Sequence, residues 1–378
     1  MHEERQYDVA IVGGGLAGLA SAIQLRQKGH SVVLFEKETY PFHRVCGEYI
    51  SRESWPFLLS LGLPLDAWNL PQIDTLHLTA PNGKLFATSL PLGGFGISRY
   101  KLDAALATQA KAIGVHLLEA TRVDAIERGE GFTIHFNKQT VTAKLCLAAY
   151  GKRSNLDVKW KRPFLQGQNK RLNNYVGVKY HVKADWPVNV IGLHNFKNGY
   201  CGISKIEDDR YCFCYMTRAA NLQKSSNGIP VMQQTILYKN PHLQKLFTQS
   251  EVINDFPVTI SQISFAPKAS VENGVLMLGD AAGMITPLCG NGMSIALHTA
   301  KIASALGHHF LQGKLSQIQM EKAYHHQWQN QFAVRLRAGR ALQAFFGSNS
   351  LSNGLFGLLQ AAPFLARPII RLTHGKPF

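Results

Sequence analysis

Apolar residues form unbroken runs at the start of the chain and alternate with polar ones further on. Val9, Ala10, Ile11 and Val12 make a run with no polar break, as a parallel strand covered on both faces does. Ala20, Ala22, Ile23 and Leu25 continue into a helix, and Gly29 suits its C-terminal cap. Ser31–Phe35 reads as a second strand that ends at Glu36. Asp8–Lys37 is therefore expected to fold as strand, glycine loop, helix and strand.

Ile73–Ala80 and Lys84–Leu90 alternate about Asn82-Gly83, which predicts a hairpin. A helix is expected from about Leu102 to Ile113, with Leu102, Ala105, Leu106 and Ala110 on one face. Strands follow at Val115–Leu118, Val123–Ile126, Phe132–Phe136 and Val141–Leu147. From Val176 to Met216, short alternating strands broken by Asn198-Gly199 and Asp208-Asp209 predict a mainly antiparallel sheet, hence a second domain. Helices are expected over Pro230–Tyr238 and Pro241–Thr248, after which Val258–Phe265 returns the chain to the first domain. Gly274–Gly283 reads as a buried strand ending in a Gly279-Asp280 turn, and Met293–His309 as a helix of small residues. Beyond it, Tyr324, Trp328, Phe332 and Leu336 stand at near-helical spacing, and Pro363 and Pro368 prevent one straight helix.

Gly13-Gly14-Gly15-Leu16-Ala17-Gly18 carries the first chemistry. Gly13 permits the tight turn, Gly15 lets backbone approach a pyrophosphate, and Gly18 lets helix and strand pack closely. The helix start then offers free N–H groups and the positive end of its dipole to phosphate. Glu36 lies 36 − 18 = 18 residues past the last glycine, near the ~20 expected for an acid that binds a ribose hydroxyl pair. A carboxylate there repels a 2′-phosphate, so the adenosine should lack one.

Composition adds bounds. Hydrophobic residues at 46% and charged residues at 17% describe a folded globular protein. The net charge of +16 asks for an anionic partner. No Lys/Arg block is long enough for a nucleic-acid arm, so Lys159–Arg171 and Arg335–Arg340 are read as solvated basic surface. The six cysteines are scattered, and Cys212-Phe-Cys214 has no second pair or nearby His to complete a metal site. Reduced thiols in a cytoplasmic protein without a signal peptide are expected.

Three separated motifs carry a resemblance: Gly13–Gly18 with Glu36; Arg99…Asp103…Leu106; and Gly279-Asp280-Ala281-Ala282-Gly283 with Pro287 and Gly290-Asn291-Gly292. The chain resembles two-domain FAD-dependent oxidoreductases shaped like para-hydroxybenzoate hydroxylase. Tyr40-Pro41…Arg44-Val45-Cys46-Gly47 resembles the flavin-reaching loop of the geranylgeranyl reductase-type branch. The resemblance implies an α/β protein. A Rossmann-like FAD-binding domain would comprise residues 1–72, 98–155 and 266–310. A mainly antiparallel β substrate domain would be inserted at 73–97 and 156–265, with a C-terminal helical segment at 311–378.

It implies FAD contacts at Gly13, Gly15, Leu16, Ala17, Gly18, Glu36, Lys37, Arg44, Cys46, Gly47, Arg99, Asp280, Pro287, Gly290, Asn291, Gly292 and Met293. Tyr200 and Glu48 are candidate substrate contacts. No catalytic acid or base is assigned, and His43, Glu48, Tyr200 and His298 are weighed as structural before catalytic. The chain departs from the hydroxylases at Tyr150-Gly151, where they carry Asp-Gly, which bears on NAD(P)H as reductant. Around Tyr200 it lacks the Trp, Phe and Pro of prenyl reductases, and it has no Trp-x-Trp-x-Ile-Pro motif of flavin halogenases.

Three readings follow. The first is an NAD(P)H-dependent monooxygenase of a hydrophobic small molecule. The second is a reductase of prenyl or polyene double bonds. The third is a flavoprotein electron carrier or redox sensor. The greasy, basic C-terminal segment is read as packing over the flavin domain, with a lid that makes peripheral contact with an anionic membrane or admits a lipid-like substrate as the sharper alternative.

Overall fold

The computed structural model describes residues 5–166, 173–226, 228–253, 257–286, 290–346, 349–373 and 375–378. In chain order the strands are β1 (Gln6–Val12), β2 (Val32–Phe35), β3 (Tyr49–Ser51), β4 (Gln72–Thr79), β5 (Leu85–Gly96), β6 (His116–Leu118), β7 (Val123–Arg128), β8 (Phe132–Phe136), β9 (Gln139–Ala148), β10 (Asn173–Lys183), β11 (Val190–Phe196), β12 (Gly199–Lys205), β13 (Tyr211–Arg218), β14 (Glu251–Val252), β15 (Val258–Ser264), β16 (Val271–Glu272) and β17 (Val275–Met277). The longer helices are α1 (Leu16–Gln27), α2 (Arg99–Ala112), α3 (Gly292–Leu311), α4 (Gln317–Phe346), α5 (Asn349–Ala361) and α6 (Ala366–Thr373).

The first sheet runs β16-β17-β9-β1-β2-β6, with β7 and β8 attached beyond β9. β1 is parallel to both neighbours, Ile11 standing beside Leu34 on one side and Leu147 on the other. Val9, Ala10 and Ile11 are fully buried, as their unbroken apolar run requires. α1 packs against both α2 and α3. Residues Leu16 to Ile23 are all buried, so this helix is apolar nearly all round rather than on one stripe.

The second sheet runs β14-β10-β13-β12-β11-β4-β5-β3, with β15 also on β10. Among the described residues of this sheet only the β11–β4 pair is parallel, which agrees with the mainly antiparallel expectation. One face carries Tyr49, Leu193, Tyr200 and Met216 against Phe356 and Leu359 of α5 and Ala366 of α6. The other carries Val178, Phe196 and Tyr215 against the helices Ile229–Thr235 and Pro241–Gln249.

Two strands fall differently from the sequence reading. β15 does not return to the first sheet; it pairs with β10. Its alternation of polar and apolar residues belongs to an antiparallel edge with one covered face. β3 pairs with β5, so the second sheet takes an edge strand from directly behind the Cys46-Gly47 loop. In α4, Tyr324, Trp328, Phe332 and Leu336 are buried in the first-sheet core, as their spacing suggested.

Candidate active site

The glycine loop is built as the motif requires. Gly13 has φ +102°, and a Cβ there would lie 2.6 Å from the Ala149 carbonyl oxygen. A Cβ on Gly18 would sit 1.9 Å from the Gly13 oxygen, so helix and strand touch backbone to backbone. Gly15 is different. A Cβ there meets only Arg99 Nη2 at 3.8 Å, so chain packing leaves room above this residue. α1 begins at Leu16-Ala17 with no side-chain cap and no acid in its first turn. Its first N–H groups are donors facing that room.

Glu36 closes β2 and is buried. Its Oε2 accepts from the Gly14 N–H at 2.9 Å and Arg44 Nη2 at 2.9 Å, and its Oε1 from the Glu38 N–H at 3.1 Å. Tyr40 donates its hydroxyl to the Gly14 carbonyl. Lys37, by contrast, is exposed and pairs with Glu38 at 3.5 Å.

Arg44 also donates Nε to Asp103 at 3.1 Å. Arg99 grips the same carboxylate with Nε at 2.8 Å and Nη2 at 2.7 Å. Two guanidiniums thus bracket one buried acid beside the phosphate loop. Burial pulls the Arg99 guanidinium down, but Asp103 outweighs this and leaves it raised. The resemblance implies Arg44 as an FAD contact; the structure ties two of its nitrogens to carboxylates.

The second turn meets the first. Gly279 adopts φ +54°, its N–H donates to Thr299 Oγ1 at 3.0 Å, and a Cβ on it would lie 3.7 Å from the Ala17 Cβ. Burial pushes the Asp280 carboxyl up, with Lys268, Arg99 and Lys152 pulling the other way. Among the described residues no donor hydrogen-bonds its carboxylate. Lys268 instead donates to the Asp280 carbonyl oxygen at 2.7 Å, and burial pulls its ammonium down to about 8.

Arg162, in the stretch read as solvated, is buried and sews this turn down. It donates to Asp157 at 3.0 Å, to the Ala281 and Ala269 carbonyls at 3.0 Å each, and to Glu272 at 3.2 Å. Tyr150, which stands where the hydroxylases carry Asp, donates its hydroxyl to Asp157 at 2.6 Å.

Between the turns runs the Cys46-Gly47 loop. A Cβ on Gly47 meets nothing within 4 Å, whereas the loop's other side is pinned. Ser204 donates to the Gly47 carbonyl at 3.1 Å, and the Cys212 thiol to the Cys46 carbonyl at 3.2 Å. Glu48, at φ +55°, is fully buried. Its Oε1 accepts from Lys179 Nζ at 2.6 Å and the Arg99 N–H at 2.8 Å, and its Oε2 from His181 Nε2 at 2.6 Å. Burial alone would raise this carboxyl; His181 and Lys179 hold it down at about 2.

Glu48 thus has the partners of a strut between loop, α2 and second sheet. Sequence reasoning missed Lys179 and His181. The signal was present as two polar residues on one face of a strand whose other face is Val178, Tyr180 and Val182. Register sets His181 opposite Cys212, so Glu48, His181 and Cys212 offer ligand atoms within 4.8 Å of one another. Lys179 already supplies the cation there.

At the start of α3, Asn291 and Met293 are buried, and Gly292 opens the helix. Gly290 has φ +64°, and a Cβ on it would meet the Tyr49 ring at 3.3 Å. Pro287 lies outside the described residues. Tyr200 is buried beside Tyr49 and Met216. Behind Tyr49 a cavity of about 860 Å³ is lined by Leu90, Leu92, Val334, Ile370 and Leu372, with His298 and Arg335 at polar points. His298 stacks on Phe378 at 4.1 Å, and burial pulls it down to about 4.

These features fit an FAD. Gly15 and Gly47 leave space that a Cβ would fill, α1 begins uncapped, and Asp280 is half-buried with no donor to its carboxylate among the described residues. The comparisons agree. The family described as an FAD binding domain matches residues 6–333. Conditioned medium factor receptor 1 of Dictyostelium discoideum is 24% identical, over 91% of this chain and 71% of its own length. Digeranylgeranylglycerophospholipid reductase 2 of Methanopyrus kandleri is 24% identical, over 98% of this chain and 93% of its own. Among solved structures, a triple mutant of a flavin-dependent brominase superposes with TM-score 0.78 at 19% identity, covering 98% of this chain and 95% of that one.

Proposed function

The chain belongs to the FAD-binding domain family and is an FAD-dependent oxidoreductase; we propose that it is a monooxygenase of an apolar small molecule, with NAD(P)H as reductant. The observation that carries this reading is the cavity of about 860 Å³ behind Tyr49, walled in part by Leu90, Leu92, Val334, Ile370 and Leu372. Tyr49 lies against Gly290 on one side and joins Leu193, Tyr200, Met216 and Phe356 on the other. Apolar packing on that side of Tyr49 limits water around reactive species.

When bound, reduced FAD supplies two electrons, either to dioxygen for insertion of one oxygen atom or as a hydride to a double bond. The chain's residues do the rest. The N–H groups at Gly15–Gly18 would hold the pyrophosphate, Glu36 the ribose, and Asp280 the ribityl chain. The N-terminus of α3 favours negative charge on the reduced ring by about 1–2 kcal/mol. Glu48, clamped by Lys179 and His181, holds the Cys46-Gly47 loop in place.

Reduction of an isoprenoid double bond is the second reading. It is supported by the name of the Methanopyrus relative and by the Cys46-Gly47 loop. One experiment separates the two. The purified protein is given NADH or NADPH, a panel of long-chain phenols and prenyl lipids, and isotopically labelled dioxygen. Label in the product supports oxygenation; saturated product formed without oxygen replaces it with reduction.

A further inference from the structure

α5 and α6 pack against the second sheet and against α4. Phe356, Leu359 and Ala366 are buried against it, with Ile369 and Ile370 beside them. The outer side carries Leu358, Phe364 and Leu372, exposed by 52%, 72% and 50%. Arg367 and Arg371 stand exposed at successive turns among them, with Lys376 just beyond.

The two helical runs, Ser352–Ala361 and Pro363–Leu372, meet at a bend of 113°. Pro363 ends the first because its ring cannot continue the hydrogen-bond ladder. The bend leaves Phe364 at its tip. No single described helix is long and apolar enough to cross a membrane. Ten helical residues rise about 15 Å, half of a bilayer core of about 30 Å, so a bent pair of this size suits the interface.

Charge selects the occupant. Residues 322–378 hold seven Lys and Arg and no Asp or Glu. A second copy docking by the same face would set Arg367 and Arg371 against their own likeness, with no carboxylate to receive them. An anionic lipid surface offers both the negative charge and the apolar depth that Phe364 and Leu372 need.

We propose that the α5–α6 bend is a peripheral docking surface for an anionic bilayer. Docking requires no turnover, so it stands apart from the reaction assigned above. Ile370, Arg371, Leu372 and Lys376 also line the cavity of about 860 Å³, so docking sets the mouth of that cavity beside the lipid.

The test is co-sedimentation of the full, FAD-loaded chain with phosphatidylcholine vesicles, with and without phosphatidylglycerol. Binding should appear only with the anionic lipid and weaken with salt. Arg367→Gln with Arg371→Gln should lower partitioning about 25-fold, near fivefold per charge. Phe364→Ser should lower it as well, with melting temperature and flavin spectrum unchanged in both variants. Equal binding to neutral vesicles overturns the proposal, as does binding that both variants retain. A concentration-dependent dimer abolished by Phe364→Ser, without vesicle binding, assigns the face to a second copy and also overturns it.

Discussion

Gly279 stands against Ala17: a Cβ built on Gly279 would lie 3.7 Å from the Ala17 Cβ and 3.2 Å from the Ala296 Cβ. The turn after β17 therefore touches the helix that follows the phosphate loop. Its φ of +54° is one that L side chains rarely adopt. Gly279→Val should unfold the site or lower the melting temperature by several degrees, read by differential scanning fluorimetry with and without FAD.

Gly15 and Gly18 should respond oppositely to a side chain. Gly15→Val enters space that the chain leaves open. The apoprotein should keep its melting temperature while FAD binding weakens at least tenfold, about 1.4 kcal/mol. Gly18→Val drives a Cβ to 1.9 Å from the Gly13 oxygen and should prevent folding whether or not flavin is present. Fluorescence titration of the two soluble fractions separates the cases.

The Glu48 strut predicts an acid limb. Its carboxyl ionises near 2 when folded, against 4.5 in the open chain. A depressed acid adds stability that is fully present above pH 4.5 and disappears as pH falls through about 2. That depression corresponds to about 3 kcal/mol. Glu48→Gln should abolish this limb and cost about 3–5 kcal/mol at neutral pH, because the Lys179 ammonium is left buried without a partner. Adding Lys179→Met should restore much of the loss. Denaturant unfolding across pH measures both.

Arg162 distributes its donors over Asp157, Ala269, Ala281 and Glu272. A point charge cannot reproduce that planar fork. Arg162→Lys should therefore lower thermal stability almost as far as Arg162→Met, and both should weaken FAD binding by loosening the 279–281 turn. Melting curves with and without FAD report the two effects.

The nucleotide motif was legible because its information is local. Gly13–Gly18, the two apolar strands and Glu36 lie within one short βαβ unit, and Gly279-Asp280 ends another strand. The supports were not legible because they join distant segments. Glu48 takes partners from α2 and β10, and nothing near it in the sequence names Lys179 or His181. Arg162 read as one charge in a basic run; its burial follows from Asp157, which closes a capping box with Ser154, and from the turn it meets only in three dimensions. β15 was misplaced because alternation reveals a covered face but not which sheet covers it.

Calorimetric titration of the apoprotein with FAD and with FMN tests the central claim most directly. On the proposed reading, Gly13–Gly18 and Glu36 bind the adenosine diphosphate half, and Asp280 the other. One FAD should bind per chain, with FMN weaker by at least a hundredfold, about 2.7 kcal/mol. Equal binding of the two, or none of either, would contradict a site gripped at both turns.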